Sequence, residues 1–298
     1  CAGVSYVRIA EAEEARMRRY RTLVMESRGD ISCITLDRPD RRNAFDGQMI
    51  SELTQAFDES AREPLLRGIL LSSAGSVFCA GADLQWMQST SPVSNAQATD
   101  DAQRLTRMYR AIDESPCPVI ARVQGPAFGG GLGLMAVCDI VVAAEDATFS
   151  LSEARLGLIP AVIAPFLLSK AGESFLRRYA LTGETFTTAV AHRFGLVHDV
   201  VSQGDLDDRI TEVIDAIRQL APRATRATKG LLQRIRPLPD QERGVTCAEA
   251  NASARGAAEA IEGLRAFAEK RPPQWAKGQE QQLERERAKK HHVASRPT

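Results

Sequence analysis

Apolar and polar positions fall into two regimes along this chain. In the first half, short apolar runs alternate with amphipathic stretches. Residues 22–26 and 31–36 are strand-like runs on either side of the turn signal Ser27-Arg28-Gly29-Asp30. Run 68–71 is a short apolar run of buried-strand type, 119–123 reads as another buried strand, and 140–143 as one more. Between them, 47–61 and 102–112 carry helical periodicity, while the polar stretch 88–101 reads as a mobile loop. Strands interleaved with helices are the α/β signature. After Pro160 the pattern becomes helical: 161–170, 173–181, 188–194, 206–220 and 241–270 are the predicted helices. The chain therefore divides into an N-terminal extension (1–19), an α/β core (20–200), a C-terminal helical region (201–275) and a polar tail (276–298). No fixed-period repeat is visible, although strand-strand-helix units are compatible with a structural one.

Composition narrows the function classes. With 44% hydrophobic and 26% charged residues over 298 positions, the chain can bury a core. Lys and Arg (38) balance Asp and Glu (38), which excludes a nucleic-acid-coating surface. The six cysteines (Cys1, Cys33, Cys79, Cys117, Cys138 and Cys247) are scattered without a C-x-x-C pair and read as free thiols of a reducing compartment. The most apolar stretch, 156–168, is short and broken by Pro160 and Pro165, so it cannot span a bilayer. No charged-then-apolar leader is visible. The expectation is a soluble cytoplasmic protein with neither a membrane nor a nucleic-acid partner.

Three segments carry candidate chemistry. In Phe78-Cys79-Ala80-Gly81-Ala82-Asp83-Leu84, small residues flank a glycine, and Asp83 is placed to cap the helix that follows. In Gln124-Gly125-Pro126-Ala127-Phe128-Gly129-Gly130-Gly131-Leu132-Gly133-Leu134, glycines at a helix start cost helix stability. They make sense where a ligand must approach the backbone and use the unpaired N–H groups of a helix N-terminus. In Thr148-Phe149-Ser150-Leu151-Ser152-Glu153-Ala154, a lone carboxylate precedes very apolar sequence. Burial there raises its pKa and suits it to proton transfer; the competing reading is a Ser150-x-x-Glu153 capping box. Gly131-x-Gly133-x-x-Ala136, with Glu153 twenty residues past Gly133, also fits the dinucleotide fingerprint. Context rejects it, because no strand feeds straight into the glycines. His192 and His198 have no partner at metal-ligand spacing and read as structural, so no metal site is expected. Cys79 reads as a small apolar filler, and no G-x-S-x-G elbow is present.

Taken together, these segments resemble the crotonase (enoyl-CoA hydratase/isomerase) superfamily in order and spacing, over roughly residues 20–275. The resemblance implies a spiral of repeated strand-strand-helix units with a helical C-terminal region, assembled as a homotrimer or a hexamer. It implies an acyl-CoA thioester substrate, with coenzyme A arriving as part of that substrate and no separate cofactor. In the family, the amides matching Ala82 and Gly130 form an oxyanion hole. The segment Leu36-Asp37-Arg38-Pro39 through Arg42-Asn43-Ala44-Phe45 resembles one that lines the coenzyme A site, which carries over to Arg42 and Ala44. Ala80, Ala82, Asp83 and Leu84 match a segment holding the adenine end, and Phe267 and Lys270 match a C-terminal helix that reaches coenzyme A. Of the two family glutamates, one corresponds to Glu153; the other falls at Gly133, which has no carboxylate. A single glutamate at Glu153 is also similar to the enoyl-CoA isomerases. The stretches FCAGADLQWM, GGGLGLMAVCD and LSEARLGLIPAVIA further resemble bacterial methylglutaconyl-CoA and carboxygeranoyl-type hydratases of leucine and terpene catabolism. That implies hydration of a branched enoyl-CoA with a distal carboxylate, for which Arg155 and Arg107 are conceivable partners that the sequence does not place. A catalytically inactive acyl-CoA-binding protein is the alternative of another class.

Overall fold

The computed structural model describes residues 17–89 and 94–276. Strands β1 (Met17–Arg19), β2 (Leu23–Arg28) and β3 (Ile31–Leu36) open it as an antiparallel meander, in which Gly29, at φ 62°, makes the β2–β3 turn. Helix α1 (Gly47–Ala61) leads to β4 (Gly68–Ser73), which lies parallel to β3. Next come α2 (Leu84–Ser89), α3 (Asn95–Asp113), β5 (Val119–Val123), β6 (Ala127–Phe128), α4 (Gly130–Val137), β7 (Ile140–Ala144) and β8 (Thr148–Ser150). Then follow α5 (Ala164–Ala171), α6 (Glu173–Thr182), β9 (Phe186–Thr187), α7 (Thr188–Arg193), β10 (Asp199–Val201) and α8 (Leu206–Arg218). The large sheet has the order β1-β2-β3-β4-β5-β7-β10 and is parallel from β3 onward.

A second layer repeats behind the first. β6, β8 and β9 form a small sheet, and the isolated bridges Phe45↔Ala82 and Cys79↔Ala127 continue the same kind of pairing. Successive strands of the large sheet are thus each followed, after a few residues, by a short second-layer segment: Phe45 after β3, Cys79 to Ala82 after β4, β6 after β5 and β8 after β7. This is the strand-strand-helix spiral expected from the sequence. It holds because β3, β4, β5 and β7 are buried on both faces, in keeping with their predominantly apolar sequences. Helix α1 starts where the Asp46 carboxylate accepts from Met49 N at 2.9 Å, and it buries Met49, Leu53, Ala56 and Phe57 in the core.

Several expectations are corrected. Helix α3 begins at Asn95, seven residues before the predicted start at 102, because Ser94 inside the polar stretch caps it through Gln97 N at 3.2 Å. Residues 90–93 of that stretch lie outside the described residues, as do 1–16 of the extension and 277–298 of the tail; Met17–Arg19 is strand. The helix predicted over 241–270 is two, α10 (Asp240–Arg255) and α11 (Ala258–Ala268), broken at Gly256 and Ala257. Helix α9 (Pro222–Ile235), starting with proline at its first position, was not anticipated.

The chain forms two compact units that divide between Val213 and Ile214, inside α8. In the second unit, the Glu259 carboxylate receives Arg223 N (3.0 Å) and Ala224 N (2.9 Å), two of the donors that a helix N-terminus leaves unpaired. Arg271 meets Glu262 in a bidentate pair at 2.7 and 3.0 Å. Among the described residues, no helix is long and apolar enough to cross a membrane.

Candidate active site

The first wall of the site is the loop between β3 and α1, zipped to the loop after β4. Phe45 N donates to Gly81 O (2.8 Å), Asp83 N to Phe45 O (2.9 Å) and Ala80 N to Arg42 O (3.0 Å). Arg42, Ala44, Ala80, Ala82, Asp83 and Leu84 are thereby brought to one edge of the first unit. Two residues missed in the sequence hold that edge. Asn43 is fully buried in a left-handed conformation (φ 54°); it donates to Ala74 O (2.7 Å) and Val77 O (2.8 Å) and accepts from Arg38 N (3.0 Å). The Arg38 guanidinium bridges Asp46 (3.0 Å), Asp83 (3.1 Å) and Ala44 O (2.7 Å). Asp83 also caps α2 through Gln85 N (2.9 Å), as expected. Its carboxylate is therefore engaged within the protein, while Arg42 and Leu84 are the exposed side chains of this edge. Replacing Asn43 with alanine removes the partner of Ala74 O and of Arg38 N, leaves Val77 O only the longer bond from the Ser73 hydroxyl (3.3 Å), and strips a left-handed residue of its local bonds. The expected loss is about 2–4 kcal/mol, read as a lower urea midpoint; a change under about 0.5 kcal/mol would contradict this role.

The second wall is the glycine segment, and close approach explains its composition. A Cβ on Gly81 (φ 84°) would lie 2.8 Å from Phe128 O and 3.2 Å from Gly130 N, so the two loops touch where only glycine fits. A Cβ on Gly131 would lie 2.3 Å from Cys79 O. The amides of Ala82 and Gly130, the latter the first residue of α4, donate to no acceptor among the described residues. Two unpaired N–H groups, one at a helix N-terminus, thus lie on adjoining strands of backbone.

Glu153 approaches from β8. It opens a short 3-10 turn (Glu153–Leu156), and its carboxyl rests against Gly129, where a Cβ would be 3.0 Å from Oε1. The capping-box reading fails: the Ser150 hydroxyl donates to Gly183 O at 3.0 Å, and the turn has no side-chain cap. Oε2 of Glu153 is buried and has no hydrogen-bond partner among the described residues. Burial, only partly offset by the residue's own backbone N–H, holds this carboxyl above the ordinary carboxylate range. Such a group is poised to take and return a proton.

Gly133 lies one helical turn beyond Gly130, and its side-chain space is already filled. A Cβ there would meet Ile163 Cγ2 at 2.4 Å and the Tyr109 ring and hydroxyl at 2.8 Å. Tyr109 carries no mark of this position in the sequence; the glycine pair 130 and 133 is the trace that something large lies against α4. Cys79 donates its thiol to Asn43 O (3.1 Å), and burial pushes its pKa up to about 12, which suits a filler and not a nucleophile. His192 meets Val197 O (3.1 Å) and His198 accepts from Val141 N (2.9 Å), both within backbone packing. Arg155 donates to Gly183 O (2.9 Å), and Arg107 opens onto a groove between α1 and α3. Phe267 and Lys270 belong to the second unit, where Phe267 is 84% exposed and Lys270 is left-handed (φ 54°) just past α11.

Residues 26–279 match the sequence profile of the family described as enoyl-CoA hydratase/isomerase. The chain belongs to this enzyme family. It is 32% identical over 261 residues to enoyl-CoA hydratase EchA19 of Mycobacterium tuberculosis, covering 84% of this chain and 94% of that one. Its fold superposes on an enoyl-CoA hydratase from Shewanella pealeana with a TM-score of 0.81 and 40% identity, over 86% of this chain and 96% of the other. Pseudomonas aeruginosa AtuE superposes with a TM-score of 0.83 and 35% identity, over 86% of this chain and all of AtuE's (100%). The spiral is therefore the crotonase fold. An acyl-CoA thioester is the class of substrate consistent with that membership.

Proposed function

We propose that the protein hydrates a conjugated, branched enoyl-CoA thioester carrying a distal carboxylate, of the methylglutaconyl-CoA type. One observation carries the reading: a single buried carboxyl with an unpartnered oxygen, Glu153, lies against the glycine segment whose Gly130 amide, with that of Ala82, is unpaired. The chemistry closes with these groups alone. Ionised Glu153 takes a proton from water as the water oxygen bonds to the β-carbon. The electron pair moves onto the thioester oxygen, where the Ala82 and Gly130 amides stabilise the enolate without a charged side chain. Protonated Glu153 then delivers its proton to the α-carbon, so water has been added and the carboxylate is restored. The acyl preference is supported by Ala161-Val162-Ile163, which stands where ordinary hydratases have a glycine-rich stretch, in keeping with a different acyl pocket. The same reading includes a homotrimer or a pair of trimers; the exposed apolar row Ile261, Leu264 and Phe267 on α11 supports a covered face.

The test is mass-spectrometric product analysis with methylglutaconyl-CoA, crotonyl-CoA and a non-conjugated enoyl-CoA. A water adduct formed from methylglutaconyl-CoA and scarcely from crotonyl-CoA is the expected result. Conversion of the non-conjugated ester to its conjugated isomer without hydration would instead make Glu153 the proton carrier of an isomerase, the reading that a single carboxylate also favours. Tight binding of all three with no turnover would mark an inactive acyl-CoA-binding protein.

A further inference from the structure

Three consecutive glycines, Gly129 to Gly131, carry the Gly130 amide, and glycine is the residue whose backbone is least constrained by its own chemistry. An oxyanion donor works by being aimed before charge develops. The peptide that carries the Gly130 N–H has Gly129 O at its other end, and that carbonyl accepts from Leu132 N at 2.9 Å; the contacts on either side of it come from other segments. On the N-terminal side, Gly129 N donates to Ser150 O at 2.9 Å. On the C-terminal side, Gly131 lies flat on Cys79 O. Between them, the Gly130 carbonyl receives the hydroxyl of Tyr109 at 2.7 Å.

Tyr109 projects from α3, is fully buried, and packs its ring 5.7 Å from that of Phe166 at a tilt of 47°. Its hydroxyl fills the places where side chains would begin at two α4 positions: a Cβ on Gly130 would be 2.9 Å from it and one on Gly133 2.8 Å. The two glycines are three residues apart, on one face of α4, and that face is flat so that the phenol can rest on backbone. Burial first, then the neighbouring Cys79 and the charge of Glu153, push the phenol well above its ordinary pKa, so it stays a neutral donor.

We propose that Tyr109 is a positioning residue of the oxyanion donor: by holding the Gly130 carbonyl it fixes the 130–131 peptide and so restricts how the preceding 129–130 peptide, which carries the Gly130 N–H, can turn about the Gly130 Cα, at a site where position 133 supplies no side chain. The inference rests on the reading of Ala82 and Gly130 as the oxyanion hole.

The experiment replaces Tyr109 with phenylalanine in the full chain, which keeps the ring and removes only the donor. A cinnamoyl-CoA bearing a para-amino donor reports thioester polarisation as a red shift of its absorption on binding, independently of turnover. The variant is expected to show a smaller red shift and a kcat lower by about tenfold, short of the hundredfold or more that deleting an oxyanion donor costs. KM and thermal midpoint should stay near wild type. An unaltered red shift and kcat, or a lowered midpoint with polarisation intact, overturns the proposal. A wild-type complex with no red shift overturns the oxyanion reading and this proposal with it. If the phenylalanine variant does not fold, 3-fluorotyrosine incorporation, which strengthens the donor with little change of shape, should deepen the red shift; an unchanged shift then overturns the proposal.

Discussion

Glu153→Gln is expected to lower kcat by about a thousandfold or more, near the upper end of what one general acid–base group contributes, because the same carboxyl removes one proton and delivers another. Binding of the thioester should change by less than about threefold, since the Ala82 and Gly130 amides and the 42–45 and 80–84 edge are untouched. A second consequence separates this carboxyl from an ordinary structural one. Its folded-state pKa is raised by burial, so the native protein binds more protons than the unfolded chain as pH climbs past the usual carboxylate value. Stability is then full below the unfolded pKa and declines as pH rises through the folded one. At neutral pH the buried, unpartnered charge is a cost, and a neutral amide of the same shape costs less to bury. The glutamine variant should therefore melt higher than wild type by roughly 2–4 °C, the shift that about 1 kcal/mol produces in a domain of this size. In the wild type, kcat should rise with pH through the elevated carboxyl pKa, since the ionised form is the base. Turnover within tenfold of wild type in the variant would remove Glu153 from the mechanism. A lower melting temperature would mean that its charge is compensated by a partner.

The strands of the large sheet were legible because burial on both faces writes itself as short, mostly apolar runs rich in Val and Ile; 31–36 and 119–123 fall on β3 and β5 to the residue, even with Ser32, Thr35 and Arg122 inside them. The start of α3 was not legible. Its cap, Ser94, sits in a run of Ser, Thr, Asn and Gln that is indistinguishable by composition from loop. The short second-layer strands escaped for another reason: two or three residues such as Ala127–Phe128 are too few for any period to show. At the site, glycines and a lone glutamate beside apolar sequence pointed to segments that the fold brings together, since each has a cost that packing alone does not explain. The supporting residues did not announce themselves. Asn43 lies in a charged loop and Tyr109 on an apolar helix face, and what each does depends on carbonyls 31 and 34 residues away for Asn43 and 21 residues away for Tyr109.

Gly133→Glu, the change that would install the second glutamate at its family position, is expected to damage the protein and not to improve it. The first atom of that side chain would already stand 2.4 Å from Ile163 Cγ2 and 2.8 Å from the Tyr109 ring, before any of the carboxylate is placed. Neither neighbour has freedom to yield: Ile163 is 3% exposed at the start of α5, and Tyr109 is fully buried and bonded to Gly130 O. Overpacking and an uncompensated buried charge add, so the loss should exceed about 3 kcal/mol and appear as poor soluble yield and a melting temperature lower by roughly 6 °C or more. Gly133→Ala, which adds the Cβ alone, should cost about 1–3 kcal/mol by the same contact. Cutting Tyr109 back to alanine in the Gly133→Glu background should recover part of the lost yield, because it removes one of the two colliding groups. A folded, more active Gly133→Glu enzyme would show that the space at position 133 is open. The expected failure has a mechanistic meaning. This site is not a two-carboxylate site with one residue deleted: a phenol and a branched aliphatic chain occupy the volume, and the proposed hydration therefore assigns both proton transfers to Glu153.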